Sequence, residues 1–564
     1  MTSLVRHSAL EQAMSPVDYL LHWTASKGDS IYLTQPLAYG QVQTFTWSEV
    51  ADQALRLANF LYSLNLPAQS NIILLGKNSA HWLIADLAIW MAGHVSVPLY
   101  ATLNPDSASY IIEHCQAKLI FVGKMGGADD SWQQLKTVFP AELPVVALPL
   151  APATDDFAYH QSWENIMRDF WPLTVVDKRD AEALATIVYT SGTTGKPKGV
   201  MHCYRSLIAP CQSTKQLWHP GEADRMLSYL PLAHIAERVA VEIPSLVFGF
   251  QVFFNDSLET FSQDLRRARP TRFFSVPRLW TKFYQAVSIK LSPRKQKLLF
   301  TLPLIGPRVK QKILRQLGLD CTRLGLTGAA PLPANIVAWY RSLGLEFLEV
   351  FGMTENAATS HGTQPGQVRP GYVGVPLPGV ECKIDATGEI LVKSPGQMLG
   401  YYKNAEATLE SYDAEGYFRT GDRGELDEQG NLRITGRVKE LFKTSKGKYV
   451  APVPIENKLA HPALEVVCVT GPGQPQPFAL AVLAPGAISN RNELEHQFSE
   501  LLTQVNSTLE DHEQLDYLVI APDAWTIESG MLTPTMKLRR DKIEARYLAN
   551  ADHWRSSGHK IIWQ

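Results

Sequence analysis

Residues 183–200 read ALATIVYTSGTTGKPKGV. The first eight, 183–190, are a short apolar run rich in β-branched side chains, the pattern of a strand buried in a sheet. The next ten hold Gly192, Gly195 and Gly199 among threonines and lysines, a composition that cannot stay in a sheet and predicts a loop. A buried strand therefore delivers a polar loop. Working outward, 71–75, 117–122 and 143–148 are further short β-rich runs that alternate with helical patterns, which predicts α/β layers. The most apolar stretch, 82–100 (WLIADLAIWMAGHVSVPLY), is nearly long enough to cross a bilayer. Asp86 and His94 interrupt it and a Val-Pro strand pattern ends it, so the expectation is a buried helix followed by a strand.

Beyond about residue 440 the texture changes. Runs 464–471 and 478–484 read as strands joined by a Pro/Gly/Gln-rich connection, a hairpin. Asn490 is placed to cap a helix with Leu494, Phe498, Leu501, Leu502, Val505 and Leu509 on one face, and 517–521 reads as another strand. A compact α+β C-terminal domain is expected.

The whole chain has 564 residues, with 53 Lys+Arg against 55 Asp+Glu and 45% hydrophobic residues. That balance fits a globular protein of two to four structural units and argues against a nucleic-acid partner. Six scattered cysteines form no C-x-x-C pair, so neither a disulfide framework nor a zinc site is expected, and a reducing cytoplasm is the simpler setting. The first residues, MTSLVRHSALEQAM, lack the apolar core and cleavage site of a signal peptide, and no transmembrane segment is expected. Charge is uneven along the chain: 257–323 carries 15 Lys/Arg against Glu259, Asp264 and Asp320. Such a segment suits anionic lipid headgroups, a phosphate-rich ligand, or simply solvated helix faces.

The loop 189–199 (YTSGTTGKPKG) gathers Thr190, Ser191, Thr193 and Thr194 with Gly192, Gly195, Gly199, Lys196 and Lys198. Hydroxyls, ammonium groups and close-approaching backbone amides make a clamp for phosphate oxygens. It is not a Walker A loop, because Pro197 follows Lys196 and the glycine spacing differs.

This loop resembles the signature of the adenylate-forming superfamily, which includes acyl-CoA synthetases, luciferases and adenylation domains. Further segments resemble the family's motifs in family order. Residues 328–331 (GAAP), with Gly328, Ala329 and Ala330, resemble the adenine-side loop. Residues 349–355 (EVFGMTE), with Glu349, Phe351, Gly352, Met353, Thr354 and Glu355, resemble the segment that stacks on adenine and reaches the α-phosphate and magnesium. By that resemblance Phe351 stacks, Thr354 meets the phosphate and Glu355 holds the metal. In 417–422 (YFRTGD), Asp422 would hold the ribose hydroxyls, and in 435–440 (TGRVKE) Arg437 lies beside the ribose with Lys439 at the hinge. Residues 530–540 (GMLTPTMKLRR) resemble the loop of the catalytic lysine, which maps onto Lys537.

The resemblance implies a large N-terminal adenylating domain over 1–437, of layered α/β sheets plus a small β-barrel-like part. A small mobile α+β domain over 438–564 would rotate about the hinge between half-reactions. A carboxylate attacking the α-phosphate of ATP is an anion approaching an anion, so Lys537, Lys198, the loop hydroxyls and Mg2+ at Glu355 would neutralise the transition state. Residues 444–456 (TSKGKYVAPVPIE) resemble the loop beside the pantetheine channel of acyl-CoA synthetases, with Gly447 at the close approach and coenzyme A as acceptor. Many relatives carry Asn where this chain has Tyr449.

For the acid, 230–238 (LPLAHIAER) and 274–283 (FSVPRLWTKF) resemble long-chain fatty acyl-CoA synthetases, which puts His234 near the carboxylate. The apolar residues after it, Ile243, Leu246, Val247, Phe248 and Phe250, are candidates for a fatty-acid tunnel or for ordinary core. The expectation is a fatty acid–CoA ligase of the bacterial type, cytoplasmic or peripheral at the inner membrane, without the N-terminal anchor of animal and fungal long-chain enzymes. Its alternatives are a fatty acyl-AMP ligase, a β-lactone-forming relative, and an inactive lipid-binding scaffold.

Overall fold

A computed structural model of the chain describes residues 14–126, 131–153, 155–190, 196–330, 332–487, 490–526, 529–533 and 537–564. The strand Leu184–Thr190 lies inside an eight-stranded sheet, between Lys198–Cys203 on one side and Val95–Leu99 on the other. Asn71–Leu75, Leu119–Val122, Val145–Ala147 and Gln161–Ser162 continue the sheet in parallel, whereas Lys198–Cys203 and the edge strand Gly400–Tyr401 run antiparallel. The helix Ala80–Met91 packs against this sheet with all twelve residues buried, its N-terminus capped by Ser79. It is followed by the strand Val95–Leu99, so the apolar run is core, as its interruptions predicted.

Asp86 survives inside that helix because Arg238 meets it. The buried guanidinium pairs with Asp86 and with Glu242 at 2.8 Å, donates to Thr186 Oγ1 at 2.7 Å, and lies over the Trp82 and Trp90 rings. A buried charge is tolerable only when paired in this way.

Two further mixed sheets complete the layers. One is ordered Arg225–Ser228, Gln251–Phe254, Ile31–Pro36, Val42–Thr46; the other begins Arg272–Ser275, Leu324–Thr327, Glu346–Phe351 in parallel and ends in two short antiparallel strands. The β-rich piece is an antiparallel sheet of Glu381–Ile384, Glu389–Lys393, Phe418–Leu426 and Leu432–Arg437.

After the short turn Val438–Glu440 the chain forms the C-terminal α+β unit. Its hairpin Leu464–Thr470/Phe478–Leu483 pairs in parallel with Leu518–Ile520, which pairs with Ile561–Trp563. Asn490 accepts the Glu493 amide at the head of the helix Arg491–Asn506, which buries Leu494, Phe498, Leu502 and Val505 and leaves Leu501 partly buried; the helix ends before Leu509, expected on its face, which packs against the same core from the following turn. No helix among the described residues is long and apolar enough to cross a membrane.

Candidate active site

A cleft of about 3040 Å³ opens where the ends of the eight-stranded sheet and of the sheet that begins Arg272–Ser275, the antiparallel β-sheet and the C-terminal unit meet. Strand pairing aligns Thr190 with Lys198 and closes the ends of the glycine loop, with Thr190 Oγ1 donating to the Lys198 carbonyl at 3.5 Å. Ser191, Gly192, Thr193, Thr194 and Gly195 lie outside the described residues. Lys198 Nζ sits 4.9 Å from the centroid of the Tyr401 ring, and the Tyr401 hydroxyl donates to Glu355 Oε1 at 2.9 Å. Tyr401 thus links the loop lysine to the candidate metal carboxylate. Its position depends on the Gly400–Tyr401 strand pairing with the loop's own strand, a partnership about 200 residues apart that no local pattern announces.

The strand Glu346–Phe351 brings the second group. Gly352 follows it where a Cβ would stand 2.4 Å from the Ala358 carbonyl carbon, so no larger residue fits without moving backbone. Met353 donates its amide to Asn356 Oδ1 at 2.9 Å, and the tight turn Thr354–Asn356 follows. His202, buried and held neutral by desolvation with its pKa near 4, donates from Nε2 to the Thr354 carbonyl at 2.7 Å. The Met398 amide and Gln397 side chain both hold the Glu355 carbonyl, fixing the backbone from which its carboxylate projects. Phe351 lies on the cleft wall, with Gly328, Ala329 and Ala330 at the neighbouring strand end. A Cβ at Gly328 would meet Val350 at 2.8 Å, and Ala329 takes a left-handed φ of 68°. Glu349 is buried, and desolvation pushes its carboxyl up to about 7. Its Oε2 has no hydrogen-bond partner among the described residues.

The third group is a cross-strand pair. Asp422 and Arg437 are in register, and Arg437 Nε meets Asp422 Oδ1 at 2.9 Å. Burial raises the Asp422 pKa, and Arg437 and then Lys537 oppose the rise.

His234 caps the short helix Ile235–Glu237, with Nδ1 accepting the Ala236 amide at 3.1 Å. That bond assigns the proton of the neutral ring to Nε2, and desolvation, reinforced by Lys537, lowers the pKa to about 3. His234 is therefore a neutral donor at the cleft. Its turn is pinned at both ends. Glu237 Oε1 accepts the Tyr229 amide at 3.0 Å, Asn78 holds the Leu230 carbonyl and Leu232 amide, and Arg238 is locked in the Asp86–Glu242 cluster.

Lys537 enters from the C-terminal unit. Its amide donates to Thr533 Oγ1 at 3.0 Å, and Arg540 anchors the segment by pairing with Glu456 at 2.8 Å and donating to the Val469 carbonyl at 2.6 Å. The ammonium remains reachable by water through the open cleft while protein crowds it from both walls. Desolvation, then Arg437, lowers its pKa; Asp422, Glu355 and Glu440 oppose. Across the same junction Glu465 pairs with Arg278 and lies 3.7 Å from Lys282. Lys439 sits exposed in the turn Val438–Glu440, where the two units join. Gly447 has φ +78° at the tip of the Phe442–Lys443/Tyr449–Val450 hairpin, exposed and away from the cleft lining. Lys537 and Gly447 thus do not face the cleft together.

Of the two readings of the apolar residues after His234, the structure supports ordinary core. Ile243, Leu246, Phe248 and Phe250 are buried in the main core and Val247 packs against it, because the helix Ile243–Phe248 lies against the helices Pro16–Lys27 and Tyr204–Trp218 and Phe250 follows its end; none of the five lines the cleft. Among the described residues no three His, Cys, Asp or Glu side chains cluster as metal ligands. The donor set at Glu355 still suits Mg2+, which takes one or two carboxylates plus substrate phosphates rather than a full protein cage.

Against known proteins, residues 21–402 match the family model of the AMP-binding enzyme and residues 440–554 that of the AMP-binding enzyme C-terminal domain. A long-chain-fatty-acid–CoA ligase FadD15 of Mycobacterium bovis is 28% identical over 92% of this chain and 93% of its own length. Human long-chain-fatty-acid–CoA ligase 1 is 29% identical over 84% of this chain and 77% of its own. Among solved structures, the anthranilate CoA ligase AuaEII in complex with anthranoyl-AMP superposes with a TM-score of 0.77 at 22% identity, covering 96% of this chain and 99% of that one. With a matching model over most of its length and a second over its C-terminal unit, the chain belongs to the AMP-binding enzyme family.

Proposed function

We propose that this protein is a long-chain fatty acid–CoA ligase that forms AMP, built as a 1–437 adenylating unit and a 438–564 unit that turns at Lys439. The observation that carries this reading is the entry of Lys537 from the C-terminal unit into one cleft with His234, Glu355, Asp422 and Arg437. In the first step a fatty-acid carboxylate oxygen attacks the α-phosphorus of ATP, the α–β bridging bond breaks, and pyrophosphate leaves. Asp422 accepts from the ribose hydroxyls beside Arg437, Phe351 stacks on adenine, and Gly328 to Ala330 with Glu349, Gly352 and Met353 shape the base side. Thr354, Lys198 and the hydroxyls of Thr190, Ser191, Thr193 and Thr194, with the amides of Gly192 and Gly195, grip phosphate. His234 donates from Nε2 to the carboxylate, and Lys537 neutralises charge between the two anions. Mg2+ held through Glu355 and phosphate oxygens would draw charge from the leaving pyrophosphate.

In the second step the thiolate of coenzyme A attacks the acyl carbon, the acyl–phosphate bond breaks and AMP leaves, with the thiol proton passing to solvent. Gly447 belongs to that step, and its position outside the cleft while Lys537 is inside fits an arrangement set for adenylation. The names of the relatives supply the fatty-acid class.

The test is AMP release with ATP and Mg2+ over acids from acetate to oleate, with and without coenzyme A, with products identified by mass. Turnover to acyl-CoA with long acids is the expected result. Adenylate or lactone without thioester would transfer the assignment to those activities, and no AMP with any acid would refute it.

A further inference from the structure

Between Arg278 and Arg315 the chain carries ten lysines and arginines and no acidic residue. It folds as three helices, Pro277–Lys290, Pro293–Thr301 and Ile305–Leu317. The last two turn back tightly on each other: Gly306 donates its amide to the Leu302 carbonyl at 2.8 Å, and a Cβ there would lie 2.7 Å from the Phe300 carbonyl oxygen. At this turn large aliphatic side chains face water, Leu298 at 66%, Leu304 at 76% and Ile305 at 49% exposure, with Ile289 at 83% ending the first helix. Single exposed leucines are ordinary, but a clustered set at the tip of a helical hairpin marks a contact surface.

The cations are arranged around that tip. On Ile305–Leu317, Ile305, Arg308, Lys312 and Arg315 follow helical spacing and share one face. On Pro293–Thr301, exposed Arg294, Lys295 and Lys297 flank Leu298. Among the described residues none of these six charges (Arg294, Lys295, Lys297, Arg308, Lys312, Arg315), nor their neighbour Lys310, is held in an ion pair.

We propose that this hairpin docks on an anionic lipid bilayer, with Leu298, Leu304 and Ile305 below the headgroups and the surrounding lysines and arginines on lipid phosphates. Aliphatic tips inside a cationic ring fit that interface, since basic side chains reach headgroups from an apolar base. A single-stranded nucleic acid would call for exposed stacking aromatics, whereas the exposed apolar residues of this tip are aliphatic and its one aromatic, Phe300, packs against the core. The helix Pro277–Lys290 ties the surface to the active site: Arg278, Thr281, Gln285 and Ile289 line the cleft, so its wall runs out to the exposed apolar edge. An acid leaving the bilayer would meet the cleft there; this delivery half rests on the fatty-acid reading, whereas the docking half does not.

The test is co-sedimentation of the full chain with vesicles of phosphatidylglycerol and phosphatidylcholine in equal parts, compared with phosphatidylcholine alone, across a salt series. Binding to the anionic vesicles that weakens with salt is expected. The triple variant R294Q/K295Q/K297Q should bind them roughly a hundredfold more weakly, each cation near the surface counting for roughly fivefold. Leu298→Ser with Leu304→Ser should weaken binding at every salt concentration. Both variants should keep AMP release on a water-soluble acid and lose it on oleate presented in vesicles. No binding, equal binding to neutral vesicles, or parent-like binding by both variants would overturn the proposal. Binding as expected with no AMP from any acid would refute the ligase reading and leave the docking surface standing.

Discussion

The two polar groups that meet at the cleft, His234 and Lys537, are held in opposite ways. His234 stands on a turn whose ends are tied into the core by Glu237, Asn78 and Arg238, all buried. Lys537 stands on a segment fixed within the C-terminal unit by Arg540, but that unit meets the cleft through partly exposed groups such as Glu465 with Arg278 and Lys282. One side of the site is pre-organised by the fold, and the other is brought to it by contacts that can be exchanged. A group that orients a substrate gains from rigidity, whereas one needed for half of a reaction sequence gains from reversible docking.

The contrast breaks first at Arg238. Arg238→Met leaves Asp86 and Glu242 buried without their cation, and the expected loss is about 3–5 kcal/mol, read from denaturant unfolding of the N-terminal unit. A loss below about 1 kcal/mol would show that the cluster does not hold the turn. Lys537→Ala, at an exposed position, should change stability by less than about 0.5 kcal/mol. It should nonetheless slow pyrophosphate release by roughly a hundred- to a thousandfold, the scale of losing one charge-stabilising donor. Thioester formation from supplied acyl-adenylate should stay within a few-fold of the parent. Equal loss of both half-reactions would remove the asymmetry. The docking contact is weaker. Glu465→Gln keeps the shape and removes the partner of Arg278 and Lys282, so adenylation should fall by no more than roughly tenfold, the ordinary range of a partly exposed pair. Unchanged adenylation would show that other contacts carry the docking.

What was legible in the sequence follows the same division. The strand 183–190, the buried run 82–100, the 464–484 hairpin and the Asn490-capped helix were read correctly because each is written in a local pattern of period or cap. The motif residues Lys198, Glu355, Asp422, Arg437, His234 and Lys537 line one cleft although they span most of the chain. Partners created by long-range pairing were not legible: Asp86 looked like an interruption until Arg238 met it, and Tyr401 carried no local signal. The apolar residues after His234 stayed open between tunnel and core for a related reason. Composition alone does not separate a tunnel wall from core, since both are apolar and only the neighbouring elements decide which is filled.

The smallest effect sharpens the rigid side. Glu237 accepts the Tyr229 amide inside the protein, and desolvation pushes its carboxyl up to about 8 from an ordinary 4.5, with the Ser228 hydroxyl opposing. The sign follows from linkage: between those two values the folded state holds a proton that the unfolded chain releases, so stability falls as pH rises through that window. The contribution of the neutral carboxyl is fully present below about 4.5 and is lost as pH climbs through about 8. Glu237→Gln keeps an uncharged acceptor of the same length for the Tyr229 amide. At pH 6 its unfolding free energy should match the parent within about 1 kcal/mol, the scale of one rearranged hydrogen bond. Across pH 5–8 its stability should be flatter than the parent's, as denaturant titrations at several pH values would show. A variant with the same slope as the parent would mean that Glu237 is already ionised in the fold. The His234 turn would then be tied down by a buried carboxylate rather than by a neutral hydrogen-bonding group.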